Sequence, residues 1–376
     1  MNEKAVVVGL NYQGLAVSRL LGQAGFDVYA FAIPYEMAWG EFRSSRYLRG
    51  KVKPYYGIDD LKEKISSVAK NATGGGKLKV FITSSDSLAY LVSDGRELWE
   101  KYQVFSGPLT AIDFFSDKAK MYQKCQESDI RTKRFCLLTD YRTSALDFPV
   151  ILKRNVEKGL MDYKCVKIED ERQLYEIVSG IPDDSQQYII LQECIGPEFA
   201  DIDMRGYAHG GQIIGYSVNL EARTYPDGVS SYIKEISDPQ IVGPVYDQIR
   251  KLLEGSGLTG FFAIDMKCNL ATGETYILDF NPRSPASVSS WVFKYKRSDL
   301  IQLFRNLDHP SPLAPVTSSV TWYNLSSDLK ARKKTHEKLN VRELLGAKLD
   351  GWDAHDPLPF LLQPLWIVIR KIKKHK

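Results

Sequence analysis

The chain has 376 residues, 44% of them hydrophobic and 26% charged, with a net charge of +4. That length predicts two or three structural units with ample apolar material for their cores, and so small a charge excess excludes nucleic-acid binding driven by bulk charge. Five cysteines, an odd number without a CxxC, exclude a disulfide framework or zinc site and fit reduced thiols in a cytoplasmic protein.

Residues 1–10 run directly into a strand and lack a signal-peptide layout. No apolar run reaches the roughly 18–20 residues needed to span a bilayer. Residues 5–8 form a continuous apolar run, as a buried parallel strand requires. A turn over 9–14, a helix over 15–24 and a second strand over 28–33 follow. Strands at 79–83 and 104–106, with a helix over 88–102, continue the alternation, and the glycine-rich 72–77 reads as a surface loop. The pattern predicts a doubly wound α/β unit over residues 1–110. The turn Gly9-Leu10-Asn11-Tyr12-Gln13-Gly14 is neither GxGxxG nor a P-loop. It can bind an anion at a helix N-terminus or simply pack strand against helix.

A second, α+β unit is predicted over 111–300. It has a helix over 118–128, strands over 133–138, 150–154, 165–168 and 188–195, a hairpin over 201–218 turning at 209–212, and a helix over 241–254. Lys118 begins the first helix, where a lysine can reach a phosphate or simply be exposed. Lys153 ends the apolar run Val150-Ile151-Leu152, which delivers a charge into a cleft at a cost unless it is paired. The loop after it holds one glycine, Gly159, and is followed by Lys164. In Gln192-Glu193-Cys194-Ile195-Gly196-Pro197-Glu198 a strand exits into Gly-Pro, leaving backbone groups to pair with a ligand or a mere strand edge. Arg223 follows a strand and precedes a flexible 227–231 segment. There it can clamp a phosphate bidentately or remain a surface arginine.

The hairpin over 260–283 is the most informative stretch. Phe262, Ile264 and Met266 alternate on its first strand and Leu278 and Phe280 on its second, toward a core. The other face carries Asp265, Asp279 and Asn281. With the turn centred near Thr272, Asp265 lies across from Asp279, and facing like charges are destabilising. A cation removes that cost. Two acids and an amide suit Mg²⁺ held together with a phosphate, and Arg283 is placed to hold an anion beside it.

Residues 301–376 form a C-terminal extension. Its last twenty residues pass from apolar (Phe360, Leu361, Leu362, Leu365, Trp366, Ile367, Val368, Ile369) to basic (Arg370, Lys371, Lys373, Lys374, Lys376). They can dock as a helix on the protein or lie on an anionic membrane surface.

In order and residue type these motifs resemble the ATP-grasp superfamily of carboxylate–amine ligases over residues 1–300. Ser45-Arg46-Tyr47 and His355-Asp356-Pro357 resemble the branch of predicted carboligases that includes D-aspartate ligases. The resemblance implies an N-terminal pre-ATP-grasp domain followed by an ATP-grasp domain. It implies ATP and Mg²⁺ (or Mn²⁺) as cofactors, with Lys118, Lys153 and Lys164 on the phosphates. It puts Cys194 and Ile195 on adenine through their backbone, Glu193 on the amine side and Glu198 on the ribose. Asp265, Asp279 and Asn281 hold the metal, and Arg283 and Arg223 act on the acyl phosphate. Most members carry Glu where Asp279 stands. The implied reaction joins a carboxylate to an amine with release of ADP and phosphate. The substrates would be small molecules, such as an amino acid, a peptide or a uronic-acid glycan intermediate, and a homodimer is a family-level expectation. Two rivals remain open on the residues alone. One is a nicotinamide-dependent oxidoreductase, and the other a nucleotide-binding, non-catalytic scaffold at a membrane.

Overall fold

A computed structural model describes residues 2–38, 40–70, 77–144, 146–156, 165–225, 229–317 and 319–374. The run predicted as a buried strand is β1 (Lys4–Val8), with Ala5 to Val8 fully buried. It is the centre of a parallel sheet with β2 (Asp27–Ala32), β3 (Lys53–Pro54), β4 (Lys79–Ile82) and β5 (Gln103–Val104), ordered β3-β2-β1-β4-β5. Helices Tyr12–Gln23 and Ile58–Lys70 complete the doubly wound layout. Two expectations change. The helix over 88–102 is two helices, Ser85–Asp94 and Glu97–Lys101, separated at Gly95. The strand over 104–106 is also two, β5 and β6 (Ser106–Gly107), which belong to different sheets. The loop over 72–77 lies outside the described residues except for Lys77.

A four-stranded antiparallel sheet follows, ordered β7-β10-β8-β9. Its strands are β7 (Phe135–Leu137), β8 (Val150–Arg154), β9 (Cys165–Ile168) and β10 (Ile189–Glu193). The large sheet contains β11 (Ala200–His209), β12 (Gln212–Tyr225), β13 (Val229–Glu235), β14 (Thr259–Cys268), β15 (Thr275–Asn281), β16 (Thr321–Tyr323) and β17 (Lys348–Leu349). Its order is β15-β14-β11-β12-β13-β16-β17, with β6 pairing β14. The β11–β12 turn uses Gly210 and Gly211, both at positive φ, as a two-residue hairpin requires. β12 runs further than expected, so Arg223 lies within a strand. The segment read as flexible after it enters β13, missed because Ser230 and Ser231 carry no apolar alternation. Residues beyond 300 also add β16 and β17 to this sheet.

The C-terminal part is tied to the N-terminal unit by buried charge. Asp356, 1% exposed, accepts from Arg19 Nε at 2.9 Å, Ser45 Oγ at 2.7 Å and the Arg46 N–H at 2.9 Å. The two motifs Ser45-Arg46-Tyr47 and His355-Asp356-Pro357 therefore meet in space.

Candidate active site

The acidic hairpin forms as β14 and β15, with Asp265 and Asp279 as direct register partners. The route to that register differs from simple alternation. The pairing nearest the turn joins Cys268 to Thr275, which would set Asp265 opposite Leu278. A β-bulge after Asp265 inserts Leu278 as an extra residue and restores Asp265 to Asp279. The core face of β15 is therefore Ile277 and Phe280, at 0% and 2% exposure, and Leu278 is not part of it. On β14 the expected Phe262, Ile264 and Met266 are buried.

The bulge frees a backbone acceptor that the site uses. The Leu278 carbonyl accepts from the Tyr122 hydroxyl and, at 3.3 Å, from Lys153 Nζ. Lys153 comes from β8 of the small sheet, so this carbonyl joins the two sheets. Lys153 also donates to Gln192 Oε1 at 2.9 Å and to Tyr122 Oη at 2.6 Å. Burial pushes the Lys153 ammonium down to about 8, although Asp279 opposes that and Lys118 adds to it. Bulges recur beside active sites because they re-aim groups in this way.

Lys118 heads the helix Lys118–Glu127, whose N-cap is Asp117. Its Nζ lies 2.9 Å from Asp279 Oδ1. One turn on, Tyr122 shares its face. Asn155 fixes this helix to β8, since its side-chain oxygen accepts from the Ala119 N–H at 2.8 Å and its amide donates to Asp117. Tyr122, Gln192 and Asn155 were not singled out from the sequence. The signals were Tyr122 at four residues from Lys118, and a glutamine interrupting the apolar run of β10.

The carboxylates extend further than the hairpin. Asn219, Asp203, Asp265 and Asp279 are register partners across β12, β11, β14 and β15. Two residues along, Arg205 pairs in register with Ala263, which faces Asn281. Arg205 is buried and bonds Asp203, with Glu221 Oε1 at 3.6 Å. Asn219 donates to Asp203 at 2.7 Å. Burial first, then Asp279 and Asp203, pushes Asp265 up to about 7, with Arg205 and Arg283 opposing. Burial and Asp203 likewise push Glu221 up to about 8, against Arg205 and the Ser230 hydroxyl. Asn281 Nδ2 is 3.3 Å from Asp265, and Arg283 donates to Asn281 Oδ1 at 3.1 Å. Among the described residues no three His, Cys, Asp or Glu side chains close into a complete cage. The donor set is two carboxylates and an amide, with Lys118 resting on one of the carboxylates.

The remaining predicted residues sit as follows. Glu193 is paired to Arg134 at 2.5 Å and accepts the Asp147 N–H at 3.3 Å. The Cys194 N–H is taken by Pro149 O at 3.1 Å, and Ile195 follows it half-buried. Glu198 is exposed, its carboxylate folded over Gly196. Lys164 lies outside the described residues, as do 157–163 of the loop before it. Arg223 is not brought to the carboxylate row. Its three guanidinium nitrogens are held by Asp328, Glu337 and Glu343. Asn11 is a helix cap, its side chain accepting the Gly14 N–H at 3.1 Å, and Gly14 packs against the Gly9 carbonyl.

Solved structures with this architecture are ATP-grasp proteins. The L-amino acid ligase from Bacillus licheniformis matches with a TM-score of 0.60 and 14% identity, over 85% of this chain and 79% of that one. N5-carboxyaminoimidazole synthetase from Staphylococcus aureus, complexed with ADP, matches with a TM-score of 0.64 and 13% identity, over 89% and 85%. The biotin carboxylase domain dimer of Hydrogenobacter thermophilus 2-oxoglutarate carboxylase, complexed with MgADP, ADP and bicarbonate, gives 0.63 and 13%, over 83% and 70%. The sequence matches no protein-family model and no curated protein. The chain has the ATP-grasp fold: an N-terminal parallel α/β unit followed by an ATP-grasp unit built on two sheets.

Proposed function

We propose that this protein is an ATP-dependent ligase that joins a carboxylate to an amine through an acyl phosphate, with release of ADP and phosphate. The observation that carries the reading is the facing pair Asp265 and Asp279, with Lys118 on Asp279 and Lys153 converging from the opposite sheet. Two facing acids that repel each other beside two lysines suit a polyphosphate and a divalent cation better than they suit a resting fold. The relatives of known activity include a ligase, a synthetase and a carboxylase.

Asp265, Asp279 and Asn281 fit Mg²⁺ or Mn²⁺, being oxygen donors whose mutual repulsion a cation relieves. A bound ion there would neutralise charge on the phosphate oxygens. Lys118 and Lys153 bind those oxygens, and Lys164 is assigned with them. The backbone at Cys194 and Ile195 receives adenine through the groups that Pro149 does not use, and Glu198 takes the ribose hydroxyls. Glu193, committed to Arg134 and the Asp147 N–H, shapes the amine side of that pocket. Arg283, held against Asn281, stabilises negative charge on the acyl phosphate. Arg223 would have to leave three carboxylates to act as a clamp, so its role here is structural. A substrate carboxylate oxygen attacks the γ-phosphorus and ADP departs. The amine then attacks the acyl carbon, loses a proton, and phosphate leaves. Aligned substrates and neutralised charge suffice for this chemistry, without a protein nucleophile.

The acid is expected to be an amino acid, a short peptide or a uronic-acid group. The D-aspartate ligase-like branch rests on the two motifs that meet at Asp356. A nicotinamide site finds no support at β2, where Glu36 turns its carboxylate inward to the Leu10 and Ile33 N–H groups. The test is ADP release with Mg-ATP over a matrix of acids and amines. Release that needs both partners, or that proceeds slowly with the acid alone, fits the ligase. Mg-ATP binding without turnover across the whole matrix fits the scaffold and contradicts the proposal.

A further inference from the structure

The C-terminal helix is docked and exposed at once. Residues Leu358–Leu361 and Gln363–Lys374 form two helices separated only by Leu362. One face is fixed to the N-terminal unit. Trp366 lies so close to Gly40 that a Cβ there would be 2.2 Å from its ring. Arg43 stacks 5.2 Å from the centroid of that ring, and Arg370 bonds both Glu41 carboxylate oxygens at 2.9 and 3.0 Å. The other face carries Leu358, Leu361, Leu365 and Val368, which are 53–59% exposed. Their spacing of three, four and three residues, with Leu362 between the two helices in the right-handed helical region, places them in one stripe.

Charge chooses the occupant of this stripe. Residues 357–376 contain no acid, and after Arg370, which Glu41 holds, the sequence continues with Lys371, Lys373, Lys374 and Lys376. Arg43 and Arg46, on the segment against which the helix docks, are exposed. The acids of that region, Glu41, Asp353 and Asp356, are at most 9% exposed and already paired. The sequence therefore sets positive charge directly after an apolar stripe. No helix among the described residues is long and apolar enough to cross a membrane, so the helix can only lie in the interface plane. A second copy is a poorer occupant. Four side chains fall well short of the roughly 800 Å² per partner of a stable interface, and two such tails repel.

We propose that this face is a docking surface for an anionic lipid bilayer. Leu358, Leu361, Leu365 and Val368 enter the headgroup–acyl boundary, and the basic tail with Arg43 and Arg46 meets the lipid phosphates. The full-length protein is sedimented with vesicles of phosphatidylcholine alone or containing about a third phosphatidylglycerol. Partition is expected to be at least about tenfold stronger on the anionic vesicles, and to fall as salt rises from about 0.1 to about 0.5 M. The double variant Leu361→Ser/Leu365→Ser changes only exposed side chains. It should keep the melting temperature and lose about tenfold of the partition. Equal partition on both vesicles, or undiminished binding by the double variant, would overturn the proposal. A lipid-free dimer that this variant dissolves, with no vesicle binding, would overturn it too. None of these outcomes depends on nucleotide turnover.

Discussion

Two clusters of buried charge lie on the large sheet, and they are resolved in opposite ways. Around Asp328, fully buried on the C-terminal side, acids and arginines alternate. Arg223 bonds Asp328, Glu337 and Glu343, while Arg332 bonds Asp328 and Glu343. Burial pushes Asp328 up, yet hydrogen bonds from Tyr323, Arg223 and Arg332 outweigh it and hold the carboxyl below its ordinary range. Around Asp265, acid faces acid across three strands, and the carboxyl is pushed up to about 7. A cluster whose charges are matched internally stabilises the fold. A cluster whose central carboxylate, Asp265, sits between two other acids and is bonded by the Asn281 amide suits a further charge from outside the chain.

The largest expected effect falls on turnover. Asp265→Asn or Asp279→Asn should lower kcat/KM for ADP formation by at least about 100-fold, since several kcal/mol of charge stabilisation goes with the ion. Asp265→Asn should also raise the melting temperature of the nucleotide-free protein, more at pH 8 than at pH 5. The sign follows from its raised folded-state value. The carboxyl favours the native state below the unfolded value of 3.8 and loses that advantage as pH rises through about 7. A variant that melts lower at pH 8 would place Asp265 with the matched cluster.

Asp328→Asn should do the reverse. Leaving Arg223 and Arg332 partly uncompensated in a buried site costs on the order of 3 kcal/mol, read as a lower midpoint in urea denaturation. The turnover of the folded fraction should stay unchanged. Loss of turnover without loss of stability would return Arg223 and its partners to the reaction.

Lys118→Met removes the internal cation on Asp279. It should raise the KM for ATP by about tenfold, with a smaller change in the unfolding midpoint. The smallest effect is on pH dependence. Mg-ATP affinity, measured by calorimetry, should weaken as pH falls through about 7, where Asp265 gains a proton. It should weaken again as pH rises through about 8, where Lys153 loses one. A flat profile between pH 6 and 9 would detach both groups from the nucleotide.

The matched and unmatched clusters also differ in how far the sequence reveals them. Asp265, Asp279 and Asn281 fall on one face by alternation around a short turn, so a local pattern brings them together. Even there, alternation alone assigned Leu278 to the core. A one-residue bulge moved Ile277 into that place and turned the Leu278 carbonyl to Lys153 and Tyr122. Lys118 and Lys153 were readable from a helix start and an apolar strand. Their joint partners, Tyr122 and Gln192, were not, because a buried hydroxyl or amide carries no local signal. Arg223 shows the limit most sharply. Its partners Asp328, Glu337 and Glu343 lie 105 to 120 residues further along the chain. No spacing rule reaches them, and an arginine near a strand end reads equally as a phosphate clamp or as a surface arginine. The same applies to Asp203 and Arg205, whose role depends on β11 pairing with β14.

The most direct measurement is an anomalous-difference map from a crystal grown with Mn²⁺ and a non-hydrolysable ATP analogue. The account predicts a Mn²⁺ peak between the Asp265 and Asp279 carboxylates, with Lys118 moved from Asp279 to a phosphate oxygen. A nucleotide bound elsewhere, or bound in the cleft with Lys118 still on Asp279 and no peak between the two carboxylates, would contradict it.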